Sequence, residues 1–126
     1  MSRADEAGRR AERAAQEYLA GLGYAVRETN FRTRFGEIDV IAEKDGWLVF
    51  VEVRARRAGS LVGPAESLTA RKLRRLLQTA LEYCAVRPEL PPRMRFDLVG
   101  VELDRAGRPG RIEHIENILE IPPGLI

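Results

Sequence analysis

The chain has 126 residues, 44% of them hydrophobic and 32% charged, with a formal net charge of +2. This composition is ordinary for a soluble globular protein, and no run of 18 apolar residues or signal-peptide segment is present, so we expect a cytoplasmic protein without a membrane partner. One histidine and one cysteine are too few for a zinc site of those residue types. We expect one domain over residues 1–120 and an irregular tail over residues 121–126.

The first two predicted elements are a helix and a strand. Apolar residues at spacings of three and four predict a helix over Ala4–Leu22. Glu12 lies about 100° from the centre of the apolar stripe, at the border between core and water. There its side chain either leans toward a neighbouring site or is an ordinary surface glutamate. A strand over Tyr24–Asn30 follows, and a basic bend at residues 31–34 leads onward.

The stretch Phe35–Arg57 is the central element of the prediction. Asp45-Gly46 lies between two runs rich in Ile, Val and Phe, and this pair suits the type I′ turn of an antiparallel hairpin. Counting from the turn pairs Lys44 with Trp47, Glu43 with Leu48, Ile41 with Phe50, Asp39 with Glu52 and Glu37 with Arg54. Alternation then places Glu37, Asp39, Glu52 and Arg54 on one face, and Ile38, Val40, Val49, Val51 and Val53 on the other.

The predicted pairing of Asp39 with Glu52 indicates a metal site. Two carboxylates directly opposite each other destabilise a ribbon unless something offsets their repulsion. Mg²⁺ is typically held by one or two carboxylates together with water and substrate phosphate. Because both faces of the hairpin carry apolar residues, the charges should be partly buried, which is typical of functional sites. The alternative is a pair of solvated strand charges, or ion pairs with Arg54.

The second half of the chain predicts a helix and two strands. A loop over Ala58–Pro64 precedes a helix capped by Ser67 or Thr69. The core stripe of this helix is Leu73, Leu76, Leu77, Ala80 and Cys84, and its first turns also carry Arg71, Lys72, Arg74 and Arg75. Strands are predicted over Arg93–Leu103 and Arg111–Asn117. Asp97 is interpreted as a structural residue or a charge at a strand edge, and His114 as a structural residue. The element order predicts an α/β domain whose mixed sheet has the hairpin near its middle.

The basic residues are unevenly distributed. Between Arg54 and Arg75 the sequence has seven basic residues and one acid, Glu66. Arginine beside a carboxylate pair fits a polyanionic substrate such as nucleic acid. The alternative is that these basic residues only form the solvated face of a helix.

Three segments together resemble a known family. Residues Ala11–Ala42, Leu48–Arg56 and Arg95–Val99 are similar to the YraN-like family of small bacterial proteins, and the likeness runs from about Gly8 to Asn117. The resemblance implies a restriction-endonuclease-like fold, in which a central mixed sheet with a hairpin core is flanked by helices. It also implies a likeness to archaeal Holliday-junction resolvases.

Those resolvases carry a helical Glu followed by Arg, a strand Asp, and Glu-x-Lys on the next strand. Glu12 and Arg13 match the first element, Asp39 the second and Glu52 the third. The resemblance therefore implies an endonuclease that uses Mg²⁺, or Mn²⁺ in its place, to cleave DNA, in particular branched DNA. Asp39 and Glu52 would ligate the metal, and Glu12 would hold a second ion or a metal-bound water. A resolvase is also expected to act as a homodimer, because a junction needs two symmetric cuts.

Arg54 departs from the motif, which has lysine at this position. Lysine can lose its proton and activate water, whereas arginine stays charged and can only hold phosphate or stabilise developing negative charge. Arg54 is therefore expected to clamp the scissile phosphate or to pair with Glu37. Candidate contacts to the nucleic-acid backbone are Arg13, Arg54, Arg56, Arg57, Arg71 and Lys72.

Two other functional classes stay open. The first is a non-catalytic nucleic-acid-binding or repair-accessory module that keeps the nuclease fold. In this alternative, arginine in place of lysine at position 54 indicates that catalysis has been lost. The second is a protein-interaction domain without a nucleic-acid partner.

Overall fold

Five strands and two helices make up the part of the chain that the computed structural model describes, residues 3–60, 63 and 68–119, with the backbone alone at residues 3–5. In chain order they are α1 (Arg3–Gly21), β1 (Ala25–Thr33), β2 (Gly36–Lys44), β3 (Trp47–Arg57), α2 (Ala70–Ala85), β4 (Arg93–Leu103) and β5 (Pro109–Ile115). The predicted elements are confirmed, although β1 continues through most of the predicted bend and β5 begins two residues early. The predicted tail, residues 121–126, and residues 61, 62 and 64 of the predicted loop before α2 lie outside the described residues.

The strands form one mixed sheet in the order β1-β2-β3-β4-β5. The central strand β3 runs parallel to β4, and the other neighbouring pairs are antiparallel. Parallel neighbours need a crossover connection, and α2 lies in the connection between β3 and β4. The hairpin of β2 and β3 thus lies in the middle of the sheet, as predicted. This mixed sheet flanked by two helices is consistent with the restriction-endonuclease-like fold.

Each helix covers one side of the sheet. The core on the α1 side contains Ala11, Ala15, Leu19, Val40, Val49, Val51 and Val99. The core on the α2 side contains Ile38, Ile41, Leu48, Phe50, Leu76, Tyr83 and Phe96. Both sets are buried because strand side chains alternate between the two sides. In the described ranges no helix is long and apolar enough to cross a membrane.

Helix α2 begins with the predicted cap. The Thr69 hydroxyl oxygen accepts a hydrogen bond from the backbone N–H of Lys72 at 3.1 Å, which satisfies one of the free amides of the first turn. Thr79 is buried on this helix although the predicted core stripe did not include it. Its hydroxyl donates to the Arg75 carbonyl at 2.7 Å, so a polar group is accommodated in the core without loss of a hydrogen bond.

The hairpin register follows the prediction only near the turn. The pairs from Lys44–Trp47 to Val40–Val51 are present, and the ladder then stops. The predicted pairs Asp39–Glu52 and Glu37–Arg54 are therefore absent from the ladder. The predicted alternation is also wrong at Ile38, which packs on the α2 side rather than with Val40 on the α1 side. A local break in β2 accounts for both corrections.

Asp97 anchors a buried polar network in β4. Its carboxylate is fully buried and accepts hydrogen bonds from Arg95 at 2.9 Å, from His114 Nε2 at 2.8 Å and from the Asn117 backbone N–H at 3.1 Å. Burial alone would raise the pKa of the Asp97 carboxyl, but the hydrogen bonds from His114, Arg95 and Asn117 together lower it. The structural interpretation of Asp97 is correct, although the residue is not a solvated charge.

The same network ties helix α1 to the sheet. His114 Nδ1 lies 3.0 Å from the hydroxyl of Tyr18 in α1, and Arg95 donates to the Tyr24 hydroxyl at 2.6 Å. The single histidine thus has two hydrogen-bond partners, in β4 and α1. Because the network joins α1, β4 and β5, its loss should affect the whole fold.

We expect Asp97→Ala to destabilise the protein by about 3–5 kcal/mol, because removing one partner of a buried ion pair leaves the other buried and uncompensated. The free energy of unfolding in urea at neutral pH measures this loss. Asp104→Ala is the matched control, since Asp104 is an exposed aspartate that also accepts hydrogen bonds, from Arg108 and Ala106. Equal losses in the two variants would contradict the assignment.

Candidate active site

Asp39 interrupts the sheet on both of its sides. The β1–β2 register puts Asn30 opposite Asp39, but these two residues do not form a ladder pair. On the other side, the ladder with β3 ends at Val40–Val51. The Asp39 side chain instead accepts a hydrogen bond from the Val53 backbone N–H, at 2.8 Å from Oδ2. A carboxylate therefore occupies the place where a main-chain pairing was predicted, and β2 and β3 separate at this point.

Three carboxylates converge at the break. One oxygen from each of Glu12, Glu37 and Asp39 lies within 4.8 Å of the others, and all three residues are half-buried. Glu12 reaches this group from α1, which agrees with its predicted border position. Glu37 was predicted to face Arg54 and was not among the predicted metal ligands. The structure thus brings together two of the predicted metal ligands and adds a third carboxylate.

Glu52, the remaining predicted ligand, lies outside this group of three but acts on it electrostatically. Burial raises the pKa of Asp39 to about 8, and the carboxylates of Glu52, Glu12 and Glu37 add to the rise, while the hydrogen bond from Val53 opposes it. Burial also raises the pKa of Glu52, against the opposing effect of Arg54 and Lys72. Both shifts mean that the metal-free site disfavours the ionised form of these two carboxyls.

Arg54 pairs with Glu52 rather than with Glu37. Its Nη2 lies 3.3 Å from Glu52 Oε1, whereas Glu37 Oε2 accepts from Arg32 Nε at 3.0 Å. Of the alternatives, the Arg54–Glu37 pair is therefore absent among the described residues, and the ion pair of Arg54 with one of the two facing acids is present. The Nε atom of Arg54 is buried and has no acceptor among the described residues. A buried N–H of this kind is normally satisfied, so Arg54 Nε is an unsatisfied donor next to the site.

Asn30 is a site residue that the sequence analysis did not single out. Its Nδ2 donates to Glu12 Oε2 at 3.1 Å and to Glu37 Oε1 at 3.0 Å. Its backbone has a φ of 50°, a conformation that asparagine adopts more readily than most residues. An asparagine at the end of a predicted strand, next to a basic bend, was the only available signal.

A cavity of about 160 Å³ adjoins the carboxylates on the α2 side. Residues that line it include Gly36, Glu37, Glu52, Arg54, Lys72 and Arg75. Acidic groups thus form one part of its wall, and basic groups from β3 and the first turns of α2 form another. This arrangement can accept a molecule that carries a phosphate together with a divalent cation.

The predicted nucleic-acid contacts differ in accessibility. Arg13, Arg57, Arg71 and Lys72 are exposed. Arg56 is mostly buried and lies 3.4 Å from Glu102 and 3.5 Å from Glu113, so its charge is largely used within the protein. Of the predicted set, Arg54 and Lys72 are the two that line the cavity beside the carboxylates.

We expect Asp39→Asn to stabilise the metal-free protein at pH 8 but not at pH 4. The pKa of Asp39 is about 8 in the folded protein and near 3.8 when unfolded, so the unfolded state loses its proton first and stability falls as the pH rises between these values. One pKa unit corresponds to about 1.4 kcal/mol, so a gain of about 1 kcal/mol or more is expected at pH 8. Thermal unfolding in EDTA measures it.

Asp45→Asn provides the control for this prediction. Asp45 lies at the exposed turn of the same hairpin with a φ of 51°, which asparagine tolerates. The Tm of this variant should stay close to that of the parent at both pH values. A gain for Asp39→Asn that is the same at pH 4 and pH 8 would show that Asp39 carries no buried charge.

The comparisons with known proteins agree on one family. The sequence model of "Uncharacterised protein family UPF0102" matches residues 11–101, a range that includes Glu12, Asp39, Glu52 and Arg54. A UPF0102 protein from Syntrophomonas wolfei is 38% identical over 112 residues, covering 89% of this chain and 96% of the relative.

Two further relatives are more similar over shorter stretches. A UPF0102 protein from Symbiobacterium thermophilum is 47% identical over 106 residues, covering 84% of this chain and 87% of the relative. One from Dichelobacter nodosus is 48% identical over 92 residues, covering 73% of each chain. These matches confirm the resemblance to YraN-like proteins, and the chain belongs to the UPF0102 family.

Proposed function

We propose that the protein is a Mg²⁺-dependent endonuclease that cleaves phosphodiester bonds in DNA, with branched DNA as its substrate. The observation that carries the proposal is the convergence of Glu12, Glu37 and Asp39 at one break in the sheet, with Glu52 of β3 acting on Asp39 electrostatically. Burial together with this crowding raises the pKa of Asp39 to about 8, which a bound cation would reverse. Acids with perturbed pKa values beside a cavity that has both acidic and basic residues in its wall are typical of catalytic sites.

The residues present fit a divalent cation with a preference for oxygen. All the candidate ligands are carboxylates, which suit Mg²⁺ and Mn²⁺ better than softer metals. Oxygens on opposite sides of a Mg²⁺ ion lie about 4.2 Å apart, twice the usual bond length. The group of Glu12, Glu37 and Asp39 oxygens within 4.8 Å therefore needs only small rotations to hold such an ion. Asp39 would be the shared ligand, with Glu52 or the other two acids beside it.

The side chains of the site support hydrolysis of a phosphodiester in distinct ways. A bound Mg²⁺ supplies Lewis-acid activation of water and of the phosphate oxygens. Arg54 stays charged at any working pH, so it stabilises negative charge on the phosphate and cannot act as a general base. Its guanidinium lines the cavity and can donate to a phosphate oxygen there, and Lys72 adds positive charge in the same cavity. Asp39 must lose its proton before it can serve as a ligand.

The exposed basic residues supply the contacts that position DNA. Arg13, Arg57 and Arg71 are exposed around the elements that form the site, and such side chains bind phosphates without reading sequence. A four-way junction presents two equivalent strands, so we propose that the enzyme acts on it as a homodimer.

We expect the parent protein to cut junction, flap or single-stranded DNA in Mg²⁺ or Mn²⁺ and to be inactive in EDTA. Asp39→Asn and Glu52→Gln should each lower the rate by about 10²-fold or more, because each removes negative charge that would hold the ion. Gel assays with end-labelled substrates measure the rates.

Glu43→Gln is the matched control for these variants. Glu43 lies in β2, like Asp39, but forms a salt bridge with Arg27 at 2.6 Å and does not belong to the site. Its cleavage rate should equal that of the parent. Cleavage by Asp39→Asn at the parental rate, or no cleavage of any substrate by the parent, would overturn the proposal.

A DNA-binding module without turnover is the second candidate, and the Arg54–Glu52 pair favours it. The Arg54 guanidinium lies 3.3 Å from Glu52 and pairs with the carboxylate that would bind the metal ion in a nuclease. Calorimetric titration with Mn²⁺ separates the two candidates, since the nuclease should bind Mn²⁺ and lose at least about tenfold in affinity in Glu52→Gln. Salt-sensitive binding of junction DNA without any Mn²⁺ binding would instead support the module.

A further inference from the structure

Asn30 connects the carboxylate group without being one of its acids. Its amide nitrogen has two protons and uses them on acids from different elements, Glu12 of α1 and Glu37 of β2, at 3.1 and 3.0 Å. The β1–β2 register also places Asn30 opposite Asp39, the third member of the group. One neutral side chain thus binds two of the three carboxylates and belongs to the residue opposite the third.

The backbone of Asn30 is strained at a position where no turn requires it. Among the described residues, the only others besides glycine with positive φ are Asp45 and Asn117. Asp45 lies in the β2–β3 turn, and Asn117 follows the end of β5. Asn30 lies inside β1, where a left-handed residue disrupts the ladder. Strain of this kind persists when the surrounding structure needs the side chain in one place.

A neutral donor has a specific advantage beside carboxylates that bind a cation. Arg32 also donates to Glu37, but a guanidinium cancels negative charge and so competes with an ion for the carboxylate. The amide of Asn30 satisfies one oxygen of each glutamate and leaves the net charge of the site unchanged.

We propose that Asn30 is a positioning residue that holds Glu12 and Glu37 close to Asp39 before a divalent cation binds, and that it thereby raises the affinity of the site for the ion. This inference rests on the proposed metal-dependent function. Residues that orient metal ligands through hydrogen bonds typically change metal affinity by about 10–100-fold. Asn30 contributes through Glu12 and Glu37, so it should have little effect once one of them can no longer act as a ligand.

The test compares Mn²⁺ affinity in Asn30→Gly and Asn117→Gly by isothermal titration calorimetry at pH 8. Glycine tolerates the positive φ at both positions, so each variant removes a side chain and retains the backbone conformation. We expect Asn30→Gly to lose about 10–100-fold in affinity and Asn117→Gly to stay within about twofold of the parent. Thermal unfolding in EDTA should show similar Tm values for the two variants.

Two additional variants separate positioning from a purely structural role. Arg32→Gln keeps a donor near Glu37 and removes the charge, so its Mn²⁺ affinity should be equal to or higher than that of the parent. In a Glu12→Gln background, Asn30→Gly should cost much less affinity than it does in the parent, because the two residues act as a unit. If Asn30→Gly does not fold, Asn30→Ser replaces it. Serine is too short to bond to both glutamates and leaves the backbone less flexible than glycine does, so this variant is also expected to lose Mn²⁺ affinity.

The outcomes distinguish this inference from the proposed function. Parental Mn²⁺ affinity in Asn30→Gly or Asn30→Ser, with a parent that binds Mn²⁺, overturns the role of Asn30 alone. A loss in Arg32→Gln as large as that in Asn30→Gly overturns the argument from neutrality. A parent that binds no Mn²⁺ overturns both this inference and the proposed metal site.

Discussion

The hydrogen bond from the Val53 backbone to the Asp39 side chain is the interaction on which the site depends. In a regular ladder a main-chain carbonyl of β2 would accept from Val53, and the two strands would stay paired past Val40. Here the Asp39 side chain accepts the hydrogen bond instead. The main chains of β2 and β3 are therefore no longer paired, although the Val53 N–H still has an acceptor. Burying a carboxylate in the sheet is unfavourable, and the hydrogen bond offsets part of this cost. The released end of β2 is the segment that brings Glu37 toward Glu12.

The layered fold explains why such a break is needed. Glu12 comes from α1, whereas Glu52 follows Phe50 on the face of β3 that α2 covers. Side chains on opposite faces of an intact sheet are separated by the strands themselves, so they cannot share one ligand. At Asp39 the sheet is open toward β3, and this one carboxylate is influenced electrostatically by acids from both sides. The break therefore joins two half-sites that regular pairing would keep apart.

Much of the fold could be predicted because it follows from local patterns. Apolar periodicity gave both helices and most strand boundaries, and the Asp45-Gly46 turn fixed the pairs closest to it. The predicted pairing of β2 with β3 is wrong beyond Val40. The hydrogen bond from the Val53 main chain to the Asp39 side chain replaces that pairing, and the alternation of apolar residues in the sequence does not indicate such a bond. The contribution of Glu37 and Asn30 was missed for the same reason. The partners of His114 come from β4 and α1, distant in sequence, and only the packed fold brings them together.

The donors around the carboxylates differ in charge, and this difference divides the site into two parts. The neighbours of Glu52 are the cations Arg54 and Lys72, which partly neutralise its negative charge. On the other side, the neutral amide of Asn30 donates to Glu12 and leaves its charge unchanged, while Arg32 pairs with Glu37. Under the proposed function a divalent ion would therefore bind at Asp39, between Glu12 and Glu52, and an anionic phosphate would lie beside Arg54. If the proposed function is right, this separation would put a cation and a phosphate side by side, the arrangement that hydrolysis of a phosphodiester requires.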